Sequence, residues 1–297
     1  MAVTPLNPKA NYHARSISLP SRPHPLIPEF DEQLCRLQAS EATSSSSISH
    51  KLSGLKDLHD CVDNLLLLPL TQQILAQHGH KIWVDELMEG SLSLLDACGT
   101  AKEALLQTKE HTNELQSTLR RRRRGEYRIS TKVEEYLTSR KKVMKAIHKA
   151  LNNLKGMKNK CSFSPLNTDS EALSMVSMLR EVEMVTLTVL ESLLSSISGS
   201  TVRSKSSSWS LVSKLIHHKQ VACEEAPAGL TDFEKVDSAL NTLIDHKGKS
   251  VNPVHVDNVQ NKLGKLESSI QDLEEGLEFL SRRLIKTRVS LLNILNH

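Results

Sequence analysis

From Val256 to Ile294, apolar residues return at spacings of three and four for more than five heptads. The series runs Val256, Val259, Leu263, Leu266, Ile270, Leu273, Leu277, Leu280, Leu284, Leu291 and Ile294, and Thr287 alone breaks it. Only an α-helix places such residues on one face, so a long helix with a continuous greasy seam is required here. A seam of this length needs a cover, either a second copy in a zipper or the rest of the same chain. Flanking positions such as Gln260, Ser269, Gly276, Ser281 and Ser290 carry few complementary charges. Ile285, Val289, Leu292 and Leu295 widen the apolar surface towards the end. Both details favour a bundle inside one molecule, while self-association stays open.

The rest of the chain agrees. Its 46 leucines stand against nine aromatic residues, a balance that suits packed helices and not strands. Six of the ten prolines fall within the first 28 residues, so helix breakers are scarce afterwards. Residues 1–50 read as a disordered Pro/Ser-rich tail, with at most a short amphipathic piece over Phe30–Leu37 able to dock. Residues 51–297 read as one helical bundle domain, with a Ser-rich linker near 199–208 and a loop near 221–229.

Within that domain, helices are predicted from Ser53 to Pro69, over Gln72–Gln77 capped by Thr71, and over Lys81–Arg124 with interruptions at Gly90 and Gly99. Others follow over Ile129–Lys158, Glu171–Ser198, Ser210–Gln220, Leu230–His246 and Val256–Ile294. Thr168 and Glu171 have the spacing of a capping box at the head of the helix ending at Ser198. That helix is apolar nearly all round and belongs at the centre of the bundle. It is also the best stretch for a membrane span, but Glu191 sits inside it and Glu181 and Glu183 just before it, so a buried core helix is expected. The fold class is therefore all-α: an elongated multi-helix bundle with long coiled-coil-like helices.

Five scattered cysteines without a C-x-x-C pair argue against a disulfide scaffold or zinc site and for a reducing compartment. No signal-peptide core is visible, and prolines interrupt the amphipathic helix an organelle transit peptide would form. No phosphate loop, dinucleotide fingerprint, metalloprotease or serine-hydrolase motif is found. No catalytic residue, cofactor or metal is indicated. The 13 histidines, including His78/His80 and His217/His218, lack carboxylate or cysteine partners at ligand spacing.

Charge is distributed unevenly. Residues 119–160 hold 15 Lys and Arg against three acids, a net of +12 in a chain whose total is +4. The run Arg120, Arg121, Arg122, Arg123 and Arg124 leads this segment, and Arg140, Lys141, Lys142, Lys145 and Lys149 continue it. The plainest reading is a solvated face, or one paired with the acidic remainder of the chain; next comes a surface for an acidic protein or an anionic membrane. Leu137, Met144 and Leu151 could anchor the same helix in a calmodulin-like groove. Nucleic acid is disfavoured, since Tyr127 and Tyr136 are the only aromatics available for stacking. The location expected is cytoplasmic, with a nuclear or peripheral-membrane site as alternatives.

The sharpest short motif is Arg15-Ser16-Ile17-Ser18-Leu19-Pro20. With Ser18 phosphorylated it has the form that 14-3-3 proteins grip through an arginine cluster, Arg15 lying three residues before the phosphate and Pro20 two after.

Several of these segments together resemble the land-plant BYPASS-like family. They include YHARSISLPSRPHPL from Tyr12, LKDLHDCVDNLLLLPLTQQ from Leu55, VDELMEGSLSLLDACG from Val84, YLTSRKK from Tyr136, LREVEMVTLTVLESLL from Leu179, and the tail from Leu266 to His297. The resemblance implies an all-α protein connected with root and shoot development. It implies no enzyme activity and no cofactor, and transfers no site residue. The expectation is a non-enzymatic regulatory or adaptor protein with a phospho-regulated tail; the alternative is a peripheral protein held on anionic lipid by its basic amphipathic helix.

Overall fold

The computed structural model describes residues 26–42, 47–77, 82–121, 126–160, 170–199, 230–245 and 253–296, and every regular element among them is an α-helix. In chain order these are α1 (Leu26–Ala42), α2 (Ile48–Leu66), α3 (Pro69–Gln77), α4 (Ile82–Arg120), α5 (Glu126–Lys160), α6 (Ser170–Ser198), α7 (Asp232–Asp245) and α8 (Pro253–Asn296). The phosphosite candidates Arg15, Ser16, Ser18 and Pro20, the arginines 122–124, Thr168 and the expected helix over Ser210–Gln220 lie outside the described residues. The linker near 199–208, apart from Gly199, and the loop near 221–229 do so as well.

The fold is the expected elongated all-α bundle. At about 1.5 Å per residue, the 44 residues of α8 extend about 66 Å. Every apolar residue of its seam from Val256 to Ile294 is buried. The cover comes from the chain itself: α8 lies against α2, α3, α4 and α7. The α4–α8 contact is laced at its edge by Lys102–Glu278 at 2.6 Å and Lys109–Glu274 at 2.5 Å. Thr287, the polar break in the seam, faces Asp63 of α2 at 3.4 Å. There Asp63 also meets Arg283 at 2.7 Å and Lys286 at 3.1 Å. The largely apolar α6 takes the centre, against α1 to α5 and α7.

The chain becomes helical earlier than its pattern suggests. Leu26–Ala42 forms a helix where an unstructured tail is expected to residue 50, because Phe30, Leu34 and Leu37 at helical spacing all find a buried seat. Leu37 packs where Gly54 of α2 leaves room for it. Helix α2 begins at Ile48 and not Ser53, since the Ser47 hydroxyl accepts the His50 backbone N–H at 3.2 Å and caps the helix. Pro69 opens α3 three residues ahead of the expected start, as a proline suits the first helical position. Helix α4 passes through Gly90 and Gly99 without a break.

A capping box does occur, at α7. The Thr231 N–H donates to Glu234 Oε2 at 2.8 Å, and the Glu234 N–H donates to Thr231 Oγ1 at 3.3 Å. Gly199 follows α6 with φ +72°, the left-handed geometry that ends many helices. No helix of the described residues is long and apolar enough to cross a membrane.

Candidate functional site

Two features of α5 and its neighbours carry functional interest. The first is charge. Helix α5 buries Val133, Tyr136, Val143, Ile147 and Leu154, which sets its inward direction. Lys141, Lys142, Lys145 and Lys149 are all exposed. At about 100° per residue they fall within an arc of about 100° opposite the buried stripe, along about 12 Å of helix. None of the four is drawn into an ion pair among the described residues. Lys132, nearer the helix start, is instead held by Glu135 at 2.6 Å and Glu114 at 3.2 Å.

Arg140 does not belong to this face. Consecutive residues of a helix turn away from each other, so the run Arg140-Lys141-Lys142 cannot share one side. Arg140 is 3% exposed and points inward. Its guanidinium donates to Asp237 of α7 at 3.2 Å and to the Ile197 carbonyl of α6 at 2.9 Å, and it lies 5.3 Å from the centre of the Phe233 ring. It is a clasp joining α5 to the end of α6 and the start of α7, which removes it from the set of anion-facing cations.

Arg120 and Arg121 are exposed at the turn between α4 and α5, about 22 Å of helix from Lys141. They stand apart from the lysine face. Leu151 is buried, and Leu137 and Met144 are half-buried against the bundle. The stripe that could anchor α5 in a groove or bilayer is thus occupied by the fold. What α5 presents to the outside is charge.

The second feature is a polar pocket of about 500 Å³ between α4, α5 and α6. Helix α4 supplies Glu86, Glu89, Gly90 and Ser93, α5 supplies Asn152, Asn153, Gly156 and Met157, and α6 supplies Arg180 and Glu183. Arg180 and Glu183 form the floor, each 7% exposed, while Glu86 and Glu89 stand on the open rim. Arg180 pairs with Glu86. Neither carboxylate oxygen of Glu183 has a hydrogen-bond partner. Burial pushes this carboxyl up to about 7, with Arg180 pulling it down and Glu86 pushing it further up. A Cβ at Gly90 would overlap the Glu183 carboxylate, which would then have to swing aside.

Sequence reasoning treats Glu183 merely as an objection to a membrane span and Gly90 as a helix interruption. The available signal was a carboxylate entering an otherwise apolar core helix, a costly placement unless something meets it. No group of three or more His, Cys, Asp or Glu residues among those described is arranged to hold a metal ion.

No curated protein and no solved structure matches the chain. The family model described as Protein BPS1 matches residues 51–294, from within the first turn of α2 almost to the end of α8. The chain therefore belongs to the BPS1 family, the BYPASS-like family that its separate segments resemble.

Proposed function

We propose that this protein is a non-enzymatic regulatory adaptor in plant development, and that it docks an acidic protein segment on the lysine face of α5. Membership of the BPS1 family supports the developmental role. The observation that carries the docking is the outward grouping of Lys141, Lys142, Lys145 and Lys149 on a helix whose apolar stripe is already packed. A face of this kind recognises charge and inserts nothing, which favours an acidic protein segment over a bilayer.

The test replaces all four lysines by serine. Surface changes of this type leave the fold intact. The unaltered chain is expected to bind a polyglutamate peptide in a salt-sensitive manner, and the fourfold variant at least about tenfold more weakly. Equal binding by the two proteins would remove the lysine face from the account. Capture by phosphatidylserine vesicles without binding to polyglutamate would replace the adaptor with a peripheral membrane protein.

The adaptor reading extends to the leader. A peptide of residues 11–24 with phospho-Ser18 is expected to bind a 14-3-3 protein, with Arg15, Ser16 and Pro20 framing the phosphate, whereas the unphosphorylated peptide does not bind. Equal binding of both peptides in fluorescence polarisation would dismiss the switch.

A further inference from the structure

The pocket between α4, α5 and α6 has no part in the docking described above, yet its construction is specific. Its floor holds a 7%-exposed carboxylate with both oxygens unpartnered. An ionised carboxylate with no donor costs a folded protein several kcal/mol as a rule. The neighbouring Arg180 relieves it only in part, since its guanidinium pairs with Glu86 across the pocket and donates no hydrogen bond to Glu183. No hydroxyl or amide on the walls has turned to donate to Glu183, although Ser93, Asn152 and Asn153 are present there. The carboxylate lies closed off from solvent in the space that Gly90 leaves, where a Cβ would push it aside.

We propose that this pocket binds a small organic amine, whose ammonium draws the Glu183 carboxylate out of its solvent-closed seat against Gly90 and pairs with it while the carbon body rests against Met157. Its volume of about 500 Å³ lies within the range of small-molecule sites, which favour clefts between helices in bundles. The charge lining it has the right sign. Glu86 and Glu89 from α4 and Glu183 from α6 oppose the single guanidinium of Arg180, and the lining residues of α5 are uncharged. A second groove of about 300 Å³, between α4 and α5, shares Ser93 and Asn153 with this pocket and continues it as far as Asp96 and Lys149. An amine longer than the first pocket therefore has somewhere to extend.

An ammonium at Glu183 favours the ionised carboxylate. Because burial holds that carboxyl near 7, the amine expels its proton on binding at pH 6.5, and affinity rises as pH increases from 6 to 8. Of the other charged groups facing the cavity, Glu86 and Arg180 pair with each other, and Glu89 strengthens the attraction.

The experiment is isothermal titration of the full chain with benzylamine, with putrescine, and with benzyl alcohol as a neutral control of the same shape. The expected result is saturable binding of at least one amine at pH 8 with a Kd below about 10 mM. The alcohol should bind at least about tenfold more weakly, and proton release should appear at pH 6.5 in buffers of different ionisation heat. Glu183→Gln, which keeps the shape and removes the charge, should weaken the amine at least about tenfold. Circular dichroism of that variant verifies its fold. Glu89→Gln on the exposed rim should weaken binding about twofold to fivefold. The proposal is overturned if neither amine saturates, if benzyl alcohol binds as well as benzylamine, or if Glu183→Gln binds as well as the unaltered chain.

Discussion

Glu183→Gln is expected to raise the unfolding free energy by about 2 kcal/mol at pH 8 and to leave it nearly unchanged at pH 5. In the folded chain this carboxyl titrates near 7, against an ordinary value of 4.5. Between those values the native state keeps a proton that the unfolded chain has released. Stability therefore falls as pH rises through the window, and the whole cost is present above it. A shift of this size corresponds to about 3 kcal/mol, and the buried amide of glutamine retains part of the desolvation cost. Urea unfolding followed by circular dichroism at pH 5, 6.5 and 8 measures the difference. An equal gain at all three values would mean that the charge of Glu183 is not its source.

His59 slopes the other way and sharpens the same experiment. It is fully enclosed, and its Nε2 lies 3.1 Å from Thr186 Oγ1 on α6. Burial pulls its imidazolium down to about 4 from 6.5, with Asp63 raising it and Arg283 lowering it. Here the unfolded chain binds the extra proton, so stability is lost as pH falls from about 6.5 towards 4. Between 4.5 and 6.5 the two groups offset each other in the unaltered protein. In Glu183→Gln the His59 slope stands alone, and the variant's stability declines steeply on acidification where the parent's stays nearly level.

The second large effect lies at Arg140. Asp237→Ala is expected to cost about 3 kcal/mol or more, because it leaves a buried guanidinium without its counter-charge. Replacing both partners, as Arg140→Met with Asp237→Ala, should recover more than half of that loss, since no charge is then stranded in the interior. Thermal unfolding of the single and double variants gives the coupling directly. If Asp237→Ala costs less than about 1 kcal/mol, Arg140 is not the clasp of α5, α6 and α7.

Arg140 also shows where the sequence becomes illegible. Apolar periodicity identifies nearly all of α8 and most of α5, because leucine, isoleucine and valine mark the inside by themselves. An arginine at an inward position breaks that code. It reads as surface until Asp237, 97 residues later, is seen beside it. The first helix is legible only over Phe30–Leu37, where a short docking piece is expected, and its full length over Leu26–Ala42 is hidden for a related reason: three apolar residues among prolines and serines specify a helix only when α2 and α6 are there to receive them. Thr231 and Glu234 had the letters of a capping box, but a linker-like neighbourhood masked them. The lysine face follows from helical geometry alone, whereas the pocket draws on residues from Glu86 to Glu183 and exists only once three helices have met.

The pairing of Arg283 with Asp63 spans 220 residues. At about 5–20 residues per second, a ribosome finishes α2 some 10–40 s before it produces the strip of α8 that covers it. Through that interval the nascent chain carries the leucines of α2, and those of α4 once it has been made, without their lid. Folding of this molecule is thus bound to late closure, and holdase chaperones have a definite period in which to engage it.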